Sequence, residues 1–543
     1  EVIKDLFSTN LFNNIEVDVR DNTIFLKVSE RPIISSINIE GNKLLDEEQI
    51  VKSLKNIGIS QSKPYSRNLI DKVRQELVRL YYDNGRYSSS VEVTENELEN
   101  NIIELSLNIN EGDASTIKEI KILGNKIYST RLLKSLIKSG PKYWFEVWSD
   151  KDIYNSTLLD QDIEAIRDYY LNRGYAKFKV VSKQVNLSPD KEDIYITLSI
   201  NEGNLYKFGK TTIYGLDNFD SNIFKNIINY NLDPGSFFSR SNIETAKEAI
   251  QFVLGEKGYA FPLVQLNVDL KDDSESVDII IRVDPKKKSF VRRINIKGNT
   301  KTNDEVYRRE LRQFESSIYS INKVERSKIR LQRLKFVNNV DIKKTIVDEE
   351  NGYIDIDFLL EETQSGEFKV GAGYSDSSGT IFNIKVQQDN FLGKGNNVSL
   401  EIEKSSYKKL LRYRNTDPYF TKDGISKSTS MVFSETDVSS TSTASYISDT
   451  IAYGVNYNVP ISETRSYGYG AELILTDYTT TVGSPNNVRS FINKYGESHL
   501  GLMLRASIIE DTRNRTVYAT QGKNQSITTN SVSYTHLTLP TSG

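Results

Sequence analysis

Apolar and polar positions along this chain alternate in short runs, then switch to a spacing of three and four, and the whole order repeats. The stretch INIEGNKLLDEEQI (Ile37 to Ile50) returns as IKILGNKIYSTRLL (Ile120 to Leu133), TTIYGLDNFDSNIF (Thr211 to Phe224) and INIKGNTKTNDEVY (Ile294 to Tyr307). Each copy opens with alternation, as at Ile37 and Ile39 or Ile294 and Ile296, which predicts a strand with one buried face. A glycine follows (Gly41, Gly124, Gly215, Gly298) at intervals of 83, 91 and 83 residues, and gives the backbone freedom for a tight exit. Five residues later stands a helix-capping type, Asp46, Ser129, Asp220 or Asn303, whose side-chain oxygen is suited to a free amide of the first turn.

A second helix follows in each copy. Leu69, Val73, Leu77, Leu80 and Tyr81 share one face in one repeat, as do Leu159, Ile163, Ile166 and Tyr170 in the next. The spacing predicts helix stops at Gly85, Gly174, Gly258 and the pair Asn338–Asn339. Two strands with a polar turn complete the unit, so the predicted fold is α+β: tandem strand-helix-helix-strand-strand domains of about 80 residues. The opening stretch reads as the tail of a further unit, with its helix stop at Asn13 and Asn14. Boundaries fall at 1–31 for this partial unit, then 32–113, 114–205, 206–288 and 289–366. A three-stranded sheet backed by two helices leaves edge strands, and an edge strand accepts an extended peptide by strand addition.

From residue 367 the helical spacing ends. Val398, Leu400 and Ile402 face one way and Ser399, Glu401 and Glu403 the other; Ile451, Tyr453, Val455, Tyr457 and Val459 oppose Ala452, Gly454, Asn456 and Asn458. Tyr467 to Leu475 and Leu500 to Ile508 repeat the pattern. Strands of about ten residues with a small or polar second face fit a transmembrane β-barrel with a polar lumen, and a soluble sandwich shows the same alternation. The Ser/Thr-rich stretch Ser434 to Ser448 reads as a longer external loop.

Composition narrows the chemistry. The net charge of −3 carries no nucleic-acid signal, and the chain has no cysteine and two separated histidines, His499 and His536. No catalytic, cofactor-binding or metal constellation can be assembled, and no phosphate-binding glycine loop is present, so we expect neither an enzyme nor a cofactor. No run of ~18 apolar residues predicts a membrane helix.

The repeated GN, the NRGY and KGY stops and the NEG turns (Asn110 to Gly112, Asn201 to Gly203) resemble POTRA domains. The junction GEFKVGAGYSDSSGTIFNIKVQQDNFLGKGNNVSLEIE and the later RNTDPYFTKDG resemble the first barrel strands of the BamA family of outer-membrane β-barrel assembly proteins. This resemblance implies a POTRA array followed by the N-terminal half of an outer-membrane barrel over 367–531, truncated at both ends relative to the family. Residues 532–543 (VSYTHLTLPTSG) break the strand pattern and are set apart as a non-native tail. The resemblance implies a non-enzymatic, ATP-independent insertase of a Gram-negative outer membrane, with its POTRA domains in the periplasm. Partners would be unfolded outer-membrane proteins, membrane lipid, and lipoproteins of helical-repeat and β-propeller type.

By the same resemblance, the first barrel strand, Phe368, Lys369, Val370, Gly371, Ala372, Gly373 and Tyr374, is the seam that pairs with substrate. Its two glycines weaken strand packing and leave backbone groups available, or simply relieve crowding. Arg308 and Glu315 stand at the family's contact positions for the helical-repeat lipoprotein, seven residues apart and hence near one helix face. A serine follows Glu315 where a glycine is often seen. The insertion PKYWFEVWSD carries Trp144 and Trp148, either as core filling or as part of a docking surface for the propeller lipoprotein. An export porin of the two-partner-secretion type is the alternative reading of the whole chain.

Overall fold

The structure, a computed structural model, describes residues 6, 9, 11–20, 23–65, 68–99, 101–143, 146, 148–376, 379–437, 445–513 and 519–536. Trp144 lies outside them, as do residues 438–444 of the expected loop and 537–543 of the tail. Two bodies are present: residues 1–249 with 265–282, and residues 250–264 with 283–543.

The first body begins with a hairpin of β1 (Phe12–Arg20) and β2 (Thr23–Glu30). Next come β3 (Ile33–Glu40), α1 (Glu47–Asn56), α2 (Asn68–Asp83), β4 (Ser90–Leu98) and β5 (Ile102–Asn110). The third repeat holds β6 (Thr116–Leu123), α3 (Thr130–Ser135), α4 (Ser156–Leu171), β7 (Lys179–Leu187) and β8 (Asp193–Asn201). The fourth holds β9 (Lys207–Tyr214), α5 (Ser221–Asn231), α6 (Arg240–Glu256), β10 (Leu263–Lys271) and β11 (Ser276–Asp284), and the end of α6 with its following turn belongs to the second body. Each sheet places the last strand of the repeat in the middle, and that strand runs parallel to the first: β3-β5-β4, β6-β8-β7, β10-β11-β9.

In the second body the fifth repeat follows the same plan with β12 (Phe290–Lys297), α7 (Asp304–Arg308), α8 (Ile321–Gln332), β13 (Val337–Asp348) and β14 (Tyr353–Glu362), in sheet order β12-β14-β13. Its core is sealed by Ile294, Tyr307, Leu331, Ile354, Ile356 and Phe358, all nearly inaccessible. The strand alternation and the α2 and α4 stripes account for the other cores, where Val73, Leu77, Tyr81, Leu159, Ile166 and Tyr170 are buried.

The predicted helix stops hold at Gly85, Gly174 and Gly258, all in the left-handed region. They fail at Asn338–Asn339, because α8 ends earlier, at Gln332, and the asparagines sit in β13 at a register shift. Asn13 and Asn14 likewise belong to β1 rather than to a helix end, at the same kind of shift. In both places an extra residue in one strand is accommodated by a bulge. Asp46, Ser129, Asp220 and Asn303 all cap helices, but only Ser129 and Asp220 accept a first-turn amide through the side chain.

A nine-stranded antiparallel sheet follows in consecutive order: β15 (Gly366–Ser375), β16 (Gly379–Phe391), β17 (Asn396–Lys404), β18 (Lys408–Asp417), β19 (Ser426–Asp437), β20 (Tyr446–Pro460), β21 (Arg465–Thr480), β22 (Ser498–Asp511) and β23 (Asn524–His536). Strands β19 and β20 extend into the Ser/Thr-rich stretch from both ends. Between β21 and β22 lies α9 (Asn486–Tyr495). Val532 to His536 of the expected tail run on in β23, paired with β22. The apolar face of this sheet is the exposed one: Ile451, Tyr453, Tyr469, Leu473, Leu504 and Ile508 are open, whereas Ala452 and Ser430 on the opposite face are buried. A water-soluble sandwich hides its apolar face, so this inversion marks a lipid-facing wall with a polar interior.

Candidate functional site

Strand β15 holds the residues expected to form the seam. Among the described residues it pairs with β16, with Phe368 opposite Val386 and Tyr374 opposite Thr380. Phe368, Val370 and Tyr374 are exposed. A Cβ added at Gly371 would meet only Asn383 Cβ at 4.0 Å, and one at Gly373 nothing within that distance. Among the described residues, these glycines relieve no crowding. The contrast lies on the interior face, where a Cβ at Gly468 or Gly470 would come within 2.2 or 2.1 Å of a neighbouring side chain.

Arg308 and Glu315 do not share a helix. Helix α7 ends at Arg308, and Glu315 lies in a turn beyond it. The chain brings them together by another route: both converge on Ile294 of β12. The Ile294 N–H donates to Glu315 Oε1 at 2.8 Å, and Arg308 Nη1 donates to the Ile294 carbonyl at 3.2 Å, with the two side chains 3.9 Å apart. Both remain close to half exposed. Ser316 takes a φ of +58°, so a non-glycine residue occupies a left-handed position.

The motifs DNFLGKGN and DPYF join the sheet to the fifth repeat. Asn390 donates from Nδ2 to Thr302 Oγ1 at 2.7 Å, and the Asn303 N–H donates to the Gly393 carbonyl at 3.0 Å. A Cβ on Gly393 would lie 2.4 Å from the Lys301 carbonyl, so only glycine allows this approach. Tyr419 stacks under the Arg309 guanidinium at 4.5 Å and accepts from Arg330 Nη2 at 2.9 Å. Arg330 also pairs with Glu310 at 2.7 Å and Glu463 at 2.8 Å, and Arg312 reaches Glu463 at 2.7 Å. Burial disfavours the Arg330 charge, but the surrounding Glu310, Tyr419 and Glu463 outweigh it and raise its pKa.

One further carboxylate organises this junction. Glu362, at the end of β14, accepts from the N–H groups of Thr300, Lys301 and Thr302, from Thr300 Oγ1, and from Tyr307 Oη at 2.7 Å. Burial alone would raise its pKa; these donors hold it down to about 2. It thus fixes the GN loop that Asn390 and Gly393 grip. Glu202 does the same for Lys126 and Ile127, and Glu111 for Lys43 and Leu44, so the recurrent NEG turn was the available signal. Trp148 is 98% exposed and so fills no core.

With this geometry in view, the family comparison is decisive. The POTRA profile, the surface antigen variable number repeat, matches residues 32–112, 115–203, 206–286 and 289–363, and an Omp85 superfamily domain matches 390–537. The chain is 29% identical over 503 residues to the outer membrane protein assembly factor BamA of Neisseria meningitidis serogroup B, covering 92% of this chain and 62% of that protein. It is 31% identical over 419 residues to BamA of Buchnera aphidicola, covering 77% of this chain and 67% of the relative. The chain belongs to the BamA family of Omp85 proteins. A BamA crystal structure from Haemophilus ducreyi lacking POTRA domains 1–3 superposes with a TM-score of 0.50 at 25% identity, over 62% of this chain and 64% of that one. The chain thus spans between 54% and 67% of the length of the BamA relatives it matches. The tandem α+β repeats and the antiparallel barrel sheet expected from the sequence are those of this family.

Proposed function

We propose that this protein folds and inserts β-barrel proteins into the outer membrane of a Gram-negative bacterium. Its POTRA repeats, bounded at 32–113, 114–205, 206–288 and 289–366 after a partial one at 1–31, receive unfolded chains in the periplasm. Strand β15, Phe368 to Tyr374, then templates the incoming strand. The observation that carries this reading is the pair Gly371 and Gly373 in β15, which no contact among the described residues requires to be glycine and which leave the strand weakly packed. Backbone pairing and lipid burial supply the driving force, so the process needs neither ATP nor a cofactor and involves no enzymatic step. Membrane lipid is a partner through the exposed apolar face, and nucleic acid is not.

Arg308 and Glu315 form the contact for a helical-repeat lipoprotein, and a β-propeller lipoprotein docks elsewhere on the array. Supporting this, both side chains are solvent-accessible although each also bonds the repeat's own backbone. The full chain in detergent, used as bait on an envelope extract, is expected to capture a helical-repeat lipoprotein. Glu315→Lys, which sets a second cation beside Arg308, is expected to reduce capture at least tenfold. Capture of one large secreted protein, with no lipoprotein in either case, would point to the export-porin reading instead.

A further inference from the structure

The first strand of each of the second to fifth repeats is an edge strand, and in three of them its outward groups are handled by a common device. In the second repeat Ser62, at φ +66°, donates to the Ile34 carbonyl while the Ile34 N–H donates to Lys63. In the fourth, Gly235 (φ +88°) and Ser236 bond Phe208 in the same way; in the fifth, Ser316 and Ser317 bond Val291. The same segment also bonds the carbonyl two residues earlier, at Pro32, Tyr206 or Ser289, and its backbone reaches no farther along the strand. Farther along, the fifth repeat alone adds side chains. The residue before the left-handed position is Gln61, Pro234 or Glu315, and among the described residues only Glu315 reaches back to the strand.

Glu315 and Arg308 take both outward groups of Ile294, the N–H and the C=O, as a neighbouring strand would. They stand in for a strand with charged side chains, a recognised way to blunt an edge. Two residues on, Ile296 directs its N–H and C=O the same way, because alternate residues of a strand share an edge. Among the described residues no bond from a turn, loop or side chain reaches them.

We propose that the outer edge of β12 at Ile294 to Ile296 is a latent strand-addition site that Arg308 and Glu315 hold shut. Its occupant is an extended segment of a substrate polypeptide, which gains four backbone hydrogen bonds once the two side chains turn away. The opening event is their engagement by the lipoprotein, so this inference rests on the partner reading given above. Partner binding and substrate binding then draw on the same two side chains, and the first unmasks the second.

The test uses the full chain in detergent micelles and a fluorescent peptide of the sequence Tyr469 to Tyr478. The double variant Arg308→Ala/Glu315→Ala is expected to bind this peptide at least tenfold more tightly than the parent. Adding Ile296→Pro, which removes an outward N–H without disturbing the β14 ladder, is expected to abolish the gain. No tightening, or tightening that survives the proline, would overturn the proposal. Amide exchange guards against misfolding: Ile294 should exchange at least tenfold faster in the double variant while Ile354 and Ile356 stay protected. Unchanged exchange at Ile294 would also overturn it. Glu315-dependent lipoprotein capture without any peptide effect refutes the edge site alone. A peptide effect without lipoprotein capture refutes only the partner reading.

Discussion

Gly298→Ala is expected to unfold the fifth repeat, at a cost of about 3–5 kcal/mol. Gly298 has φ +91°, and a Cβ there would sit 2.0 Å from the Leu360 carbonyl oxygen. That oxygen belongs to the central strand of the sheet and has no freedom to retreat. Gly41 and Gly124 face the carbonyls of Ile109 and Ile200 at 2.0 and 2.2 Å, so the same substitution should act alike in their repeats. The matched control is Gly371→Ala in β15, where the nearest atom is 4.0 Å away and the change should stay within about 0.5 kcal/mol. Limited proteolysis of the two variants separates them: cleavage within 289–363 should accelerate strongly for Gly298→Ala and not for Gly371→Ala. Equal protection of both would show that the GN glycine is not structurally required.

Glu362→Gln is expected to cost about 2–3 kcal/mol at neutral pH and to flatten the acid side of the stability profile. The folded pKa lies near 2, below the ordinary glutamate value of 4.5, because five donors favour the carboxylate. A depressed folded pKa stabilises fully above the unfolded value. That contribution fades as pH falls from about 4.5 and is gone near 2. The parent should therefore lose more stability than Glu362→Gln between pH 5 and 2, and the two curves should converge at the acid end. Parallel curves in denaturant titrations across that range would contradict the assignment. Because the loop fixed by Glu362 also holds Asn390 and Gly393, loosening it should weaken the grip of the repeat on the sheet.

The repeats were legible because spacing reports local structure: Gly298 must follow an alternating strand, and Leu77 must fall on the stripe of Val73 and Tyr81. The Asn338–Asn339 pair misled because asparagine suits both a helix stop and a bulge, and only strand register distinguishes them. The pairing of Arg308 with Glu315 was anticipated, but for the wrong reason. A seven-residue spacing implies a common helix face, yet α7 stops at Arg308 and the two meet across a strand edge. The Arg330, Glu463 and Tyr419 cluster was not legible at all, since its members are separated by up to 133 residues and are ordinary surface types taken singly. The exposure of Trp148 was equally hidden, because a tryptophan in a loop carries no periodic partner to show which way it faces.

The most direct test of strand templating exploits the absence of cysteine in this chain. A single Val370→Cys in β15 would be paired with an outer-membrane substrate carrying one cysteine, moved position by position along its terminal strand, during insertion into vesicles. Leu411→Cys in β18, a strand held on both sides by β17 and β19, serves as the reference. Templating predicts disulfides from Val370→Cys at a narrow set of substrate positions two residues apart, and only background from Leu411→Cys. Equal cross-linking from both sites, or none from Val370→Cys while insertion proceeds, would contradict the account.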